Sequence, residues 1–106
     1  MTLPVILRAL ALEDVEQALD HLLGEGAADA AVSFIDALEA AQRQVALEPG
    51  IGSTRHAHEL GIPGLRSWAL RTHPYLLFYV QRDGHLDVWR VLHQRRDMAA
   101  WLTEPE

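Results

Sequence analysis

The residues of this chain with a capacity for chemistry crowd into the segment from Gly64 to Leu102: Arg66, Arg71, Arg90, Arg95 and Arg96, with His93 among them. Guanidinium groups can neutralise a phosphate as its charge builds, and an imidazole titrating near neutral pH can carry a proton to or from a reacting oxygen. Cleaving RNA by attack of its 2′-hydroxyl needs those parts, a group that orients the nucleophile and an acid for the leaving oxygen. The set here is incomplete for that task. The chain has no lysine, no tyrosine follows Tyr79, and the only aromatic residue after Trp89 is Trp101.

Each of these residues also has a structural reading. Along a strand, side chains alternate between faces, so Arg66 and Arg71 point to opposite sides and cannot serve one site without a bulge. Arg90 alternates with Leu86, Val88 and Leu92, as expected of a partly buried guanidinium paired to a carboxylate. His93, alternating with Trp89 and Val91, fits a structural histidine near its strand end as well as it fits a proton carrier. Trp68 and Trp89 read as core. His56 and His58 share one side of their segment if it is extended, but they lack an evident third ligand, so no metal site is expected. There is no phosphate loop, nucleophile elbow or HExxH helix, and no cofactor is expected.

The elements that must position these residues follow from periodicity. Leu3 to Arg8 reads as a short strand, with Pro4 tolerated at its start or on an edge. From Ala11 the period becomes helical: Leu12, Val15, Leu19, Leu22 and Leu23 share a side, Glu13 and Asp14 occupy the first turn, and Gly24 offers a stop. A second helix, about Ala27 to Leu47, carries Ala31, Phe34, Ile35, Leu38, Ala41 and Val45 on one stripe. It must fold back on the first, because Gly24-Glu25-Gly26 is too short to do anything else. Residues 49–63 read as an ordered connection without regular structure. Strands follow at Leu65 to Arg71, Tyr75 to Arg82 and His85 to His93, the last two joined by Asp83-Gly84 as a two-residue turn of the primed kind. Asp97 can cap a last short helix containing Met98, Ala99, Trp101 and Leu102. The fold class is therefore α+β: a helical hairpin packed on a mainly antiparallel β-sheet, in the order β-α-α-β-β-β-α, with the opposite sheet face as the candidate working surface.

Bulk properties bound the function. The 106 residues suit one domain, 1–106, and 49% hydrophobic content is globular. No apolar run is long enough to cross a bilayer, Met1-Thr2-Leu3-Pro4 lacks the start of a secretory signal, and cysteine is absent, so a cytoplasmic protein is expected. The net charge of −6 argues against a general nucleic-acid binder. It is unevenly spread: residues 1–48 hold two arginines against nine acids, and the remainder seven arginines against six. Arginine alone among the bases favours specific bidentate or stacked contacts over diffuse attraction.

A leading short strand and acidic helical hairpin are followed by Gly52-Ser53-Thr54-Arg55, Ile62-Pro63-Gly64-Leu65-Arg66-Ser67-Trp68, Tyr75-Leu76-Leu77-Phe78-Tyr79 and Trp89-Arg90-Val91-Leu92-His93-Gln94-Arg95-Arg96-Asp97. In this order and spacing the chain resembles the ParE branch of the RelE/ParE toxin superfamily over essentially its whole length. The resemblance implies the toxin half of a type II toxin–antitoxin pair, acting on DNA gyrase by trapping its cleaved-DNA state, non-enzymatic and without direct nucleic-acid binding of its own. It implies a cognate ParD-like ribbon-helix-helix antitoxin whose tail docks an amphipathic helix against the toxin. Expected target contacts are Arg66, Arg71, His93, Arg95, Arg96 and Trp101; expected antitoxin contacts, on the hairpin and the first-strand edge, are Val5, Leu19, Leu23, Phe34 and Leu38. RelE-like relatives instead cut mRNA on the ribosome. That alternative would rest on His93, Arg66 and Arg71, and a third reading is a decayed toxin that only binds antitoxin.

Overall fold

The computed structural model describes residues 2–102. Strand β1 (Val5–Leu7) leads into helix α1 (Ala9–Gly24) and helix α2 (Ala28–Leu47), which form the expected hairpin. A single 3-10 turn at Pro49–Ile51 and a short helix α3 (Arg55–Leu60) precede β2 (Leu65–Ala69), β3 (Tyr75–Arg82) and β4 (His85–His93); helix α4 (Met98–Trp101) follows. The sheet order is β1-β4-β3-β2, with β2, β3 and β4 antiparallel and β1 parallel to β4 at one edge.

Several local expectations change. Residues 49–63 are not free of regular structure: they hold the 3-10 turn and α3, beside whose start Ser53 Oγ accepts the Arg55 N–H at 3.2 Å, and Gly61, at φ 66°, ends α3 in the left-handed conformation. A six-residue helix between glycines and a proline has too little periodicity to announce itself. His56 and His58 therefore lie on a helix, not on an extended segment. The Asp83-Gly84 turn is present, with Arg82 facing His85, but only Gly84 takes a positive φ (80°). A primed turn would need the first central residue there, so the turn is of the unprimed kind. Strand β2 stops at Ala69, leaving Arg71 in the following turn, where strand alternation no longer applies.

Apolar side chains fill both faces of the sheet. On the hairpin side Ala11, Ala18, Phe34, Leu38, Ala41 and Val45 pack onto Leu77, Tyr79, Leu86, Val88 and Val91. The opposite face, expected to be the working surface, carries a second core: Leu65, Phe78, Val80, Trp89, Leu92 and Leu102 lie beneath Ala57, Leu60, Ile62 and Met98. That sheet face is therefore covered and offers no open working surface.

A bulge in β4 sets which residues face which way. Phe78 pairs with Arg90, yet the next residue, Tyr79, pairs with Val88, so Trp89 is the extra residue. Beyond it the alternation shifts: Val91, and not Arg90, follows Leu86 and Val88 onto the hairpin side, while Trp89 and Leu92 share the other. Arg90 is thus taken off the face of Leu86 and Val88 while it still alternates with Leu92, and His93 no longer shares a face with Trp89.

The freed guanidinium meets Asp14. Helix α1 begins two residues earlier than its periodicity indicated, so Glu13 and Asp14 lie beyond its first turn and do not serve its dipole. Asp14 is buried and accepts from Arg90 Nε at 2.8 Å, from Arg90 Nη2 at 2.7 Å and from the Val91 backbone N–H at 3.0 Å. Arg90 Nη1 also donates to the Trp101 carbonyl at 2.9 Å. One ion pair therefore ties α1, β4 and α4 together, and its paired carboxylate raises the Arg90 pKa against the effect of burial.

Removing one partner strands a buried charge, so Asp14→Ala or Arg90→Ala should each cost about 3–5 kcal/mol in urea unfolding. The double variant Asp14→Leu/Arg90→Met should cost less than the two single losses together. Equal and additive losses would show that the two residues act separately.

Candidate functional site

The arginines sort themselves by what they touch. Arg66 lies on β2 with its guanidinium turned back onto the chain, where Nη1 donates to the carbonyls of Gly50 (3.1 Å) and Gly52 (2.8 Å). The same loop is held by Tyr79, whose hydroxyl donates to the Pro49 carbonyl at 2.7 Å and accepts the Gly52 N–H at 3.1 Å. Burial pushes the Tyr79 hydroxyl pKa up, which keeps it a donor. A Cβ on Gly52 would stand 2.6 Å from that oxygen, so the close approach requires glycine here.

Arg8 and Arg82 converge on Asp87, a buried carboxylate. Arg8 makes a bidentate contact through Nε (2.7 Å) and Nη2 (2.8 Å), Trp89 Nε1 donates at 3.3 Å and Arg82 Nε at 3.5 Å. The hydrogen bonds from Arg8 hold the Asp87 pKa below the ordinary carboxylate value despite its burial.

The rim at the end of β4 is different. Gln94 N–H donates to the Pro74 carbonyl at 2.8 Å and Arg96 N–H to the His93 carbonyl at 3.0 Å, so the chain turns sharply at the strand end. His93 Nδ1 accepts the Arg95 N–H at 3.1 Å, which assigns the neutral ring its proton on Nε2, and the ring packs edge-on against Tyr75. Asp97 caps α4 by accepting the Ala99 N–H at 3.1 Å. The Arg96 guanidinium lies 3.9 Å from the centre of the Trp101 ring, which is 42% exposed. His93, Arg95 and Arg96 line an open cleft whose far wall is α1, through Gln17 and His21.

Of the six residues expected to touch a target, the structure gathers four at this rim: His93, Arg95, Arg96 and Trp101. Arg66 is committed to the loop beside β2. Arg71 borders a separate groove with Trp68, Ala37, Ala40, Ala41 and Gln44. The three residues proposed for cleavage, His93, Arg66 and Arg71, are thus not assembled as one cluster. Sequence reasoning missed Gln17, His21 and Tyr75 in the cleft, because only the packing of α1 against β4 brings them there. Among the described residues no group of three or more acidic or histidine side chains could hold a metal ion. His56 packs edge-on to Phe78 with its Nδ1 unpartnered, and burial lowers its pKa.

The expected antitoxin contacts need a correction. Phe34 and Leu38 are buried in the hairpin-side core, since their stripe faces the sheet, and offer nothing to a partner. Val5 and Leu19 are half-buried against the same core, and Leu23 is 55% exposed. The apolar surface instead includes Ile6 on β1, Leu10, Leu12 and Leu23 on α1, and Val32, Ile35 and Leu47 on α2. These residues read from sequence as parts of core stripes or as ordinary helix positions, which is why all but Leu23 escaped notice.

Comparison with known proteins fits this arrangement. A family model described as the ParE toxin of the type II toxin–antitoxin system parDE matches residues 5–98. The chain belongs to the ParE toxin family. Among solved structures, a chain of the chromosomal ParDE TA system from P. aeruginosa superposes with a TM-score of 0.65 at 17% identity, over 87% of this chain and 96% of that one. That likeness speaks for the fold. No functionally curated protein matches the chain. Among the described residues no helix is long and apolar enough to cross a membrane.

In this ParE-family chain the buried charges serve the fold, and Asp87 provides the pH test. A folded pKa below the ordinary Asp value of about 3.9 means that its contribution is complete above that value and is lost as pH falls through the lower folded value. Asp87→Asn should therefore lose on the order of 3 kcal/mol at pH 7. The gap to the parent chain should narrow below about pH 4, as read from urea midpoints; a gap independent of pH would assign the loss to packing.

Proposed function

We propose that this chain is a toxin that works by binding: free, it acts on DNA gyrase, and it is held inactive by a cognate ParD-like ribbon-helix-helix antitoxin. Family membership supports the toxin role. The observation that carries the binding mechanism is the use of the cationic groups. Arg90 is spent on Asp14, Arg66 on the loop carbonyls, and Arg71 stands on a different groove from His93. A transferring phosphate needs several cations aimed at one point. The rim instead offers His93, Arg95, Arg96 and Trp101 as an exposed aromatic and cationic patch, a composition common at the centres of protein interfaces.

Neutralisation follows from the other surface. Leu12, Leu19 and Leu23 recur at i, i+7 and i+11 on α1, and Val32 and Ile35 flank the core stripe of α2. An amphipathic antitoxin helix can cover such residues by apolar burial, which tolerates the acidity of the hairpin. Edge strand β1 adds an unpaired backbone row and Ile6.

Purified toxin should inhibit supercoiling by gyrase, and Arg95→Ala together with Trp101→Ala should raise the dose for half inhibition at least tenfold without shifting the urea midpoint. Unaffected supercoiling alongside toxin-dependent cutting of ribosome-bound mRNA would replace this reading with that of a nuclease. Normal growth of cells holding verified levels of the chain alone would indicate a decayed toxin.

A further inference from the structure

Helix α3 covers part of the second core with only six residues, and it carries two histidines in different surroundings. His58 is exposed. His56 is half-buried, with its ring edge-on to Phe78 at 5.1 Å between centroids and its Nδ1 sealed from solvent without a hydrogen-bond partner among the described residues. A neutral imidazole leaves one lone pair or one N–H unmet at that atom. An imidazolium carries a proton on both nitrogens, so charging the ring places a cationic donor at a dry position that has no acceptor.

The charged residues around the ring do not relieve this. On α3 itself Glu59 is engaged by Arg55 at 3.2 Å. Across the open groove between α3 and α4 stand Arg96 and Asp97, and Asp97 is committed to capping α4 through the Ala99 N–H. From β3, Leu76 and Phe78 bring no charge. Burial accordingly holds the His56 pKa below the ordinary value of 6.5, outweighing the attraction of Glu59.

From this geometry we infer that α3 is an acid-released cover: protonation of His56 lifts the helix from Phe78 and opens the second core, while the union of α1 with β4 stays closed. The helix that yields is α3 because its own apolar hold consists of Ala57 and Leu60, both only partly buried. Helix α4 is tied down by the Arg90 contact to the Trp101 carbonyl and by buried Leu102. The ring of a lifted α3 titrates near 6.5 and that of a seated α3 lower. Seating is therefore at full strength above about pH 6.5 and weakens as pH falls from there toward the seated value. The opening is a property of the free chain and does not require gyrase to be the target.

The test is amide hydrogen exchange of the full chain at about pH 7.5 and about pH 5, with rates corrected for the intrinsic effect of pH. Ile62 reports on α3, since its N–H donates to the Ala57 carbonyl at 3.1 Å, and Val91 reports on the union of α1 with β4 through Asp14 at 3.0 Å. The opening constant at Ile62 should rise roughly fivefold or more on acidification, and that at Val91 should stay within about twofold. His56→Phe keeps a ring against Phe78 and removes the titration, so its Ile62 response should be flat. His58→Gln should respond as the parent chain does. A proton NMR titration of the parent, which needs no variant, should place the His56 ring below 6.5. A flat parent response, an undiminished one in His56→Phe, its loss in His58→Gln, an equal rise at Val91, or a ring titrating at or above the ordinary value would each overturn the cover.

Discussion

Strand β1 is only three residues long, and beyond Leu7 the outer edge of β4 has no strand beside it among the described residues. Asp14, reaching from α1, supplies the acceptor that the Val91 N–H needs, and Arg90 compensates the charge that this places in the interior. A carboxylate buried without a partner would be driven to protonate or to unfold its surroundings, so the two residues require one another. Their union fixes α1 against β4 and thereby the hairpin against the sheet. Through the Trp101 carbonyl it also fixes α4 beside the rim. The cleft exists because these elements are held at this separation.

The arginine-only basicity acquires a physical meaning from these contacts. Arg8 and Arg90 make two parallel hydrogen bonds each to a buried carboxylate, and Arg66 divides its donors between two carbonyls. Lysine, a point charge with no planar fork, could not hold those geometries. Two of the arginines without a carboxylate partner among the described residues, Arg95 and Arg96, follow the last strand, where Arg96 also stacks on Trp101. An acidic protein can in this way carry a small cationic surface without being a nucleic-acid binder overall.

The helical hairpin, the strand runs and the last capped helix were legible because each has a strong local period or cap: Leu12 to Leu23, Tyr75 to Val80, Asp97. The pairing of Arg90 with a carboxylate was legible too, from a charged residue inside an apolar run. Its partner was not, since Asp14 looks like any acid near a helix start. The bulge at Trp89 was also hidden, because it depends on pairing with β3, and it moved Arg90, Val91 and His93 from the positions that simple alternation assigns. Phe34 and Leu38 show the converse problem. An apolar stripe on a helix states that something covers it, without saying whether the cover is the sheet or a partner. Gln17, His21 and Tyr75 lie far from His93 in the chain, so only the tertiary structure unites them.

On the proposed reading, the rim at the end of β4 captures an enzyme and cuts nothing itself. The most direct measurement is the amount of linear DNA released by detergent from gyrase reactions that contain the chain. Linear DNA should rise with toxin dose and return to background when the cognate antitoxin is added in equal amount. No rise at saturating toxin, together with new 5′ ends in ribosome-bound mRNA, would contradict the account.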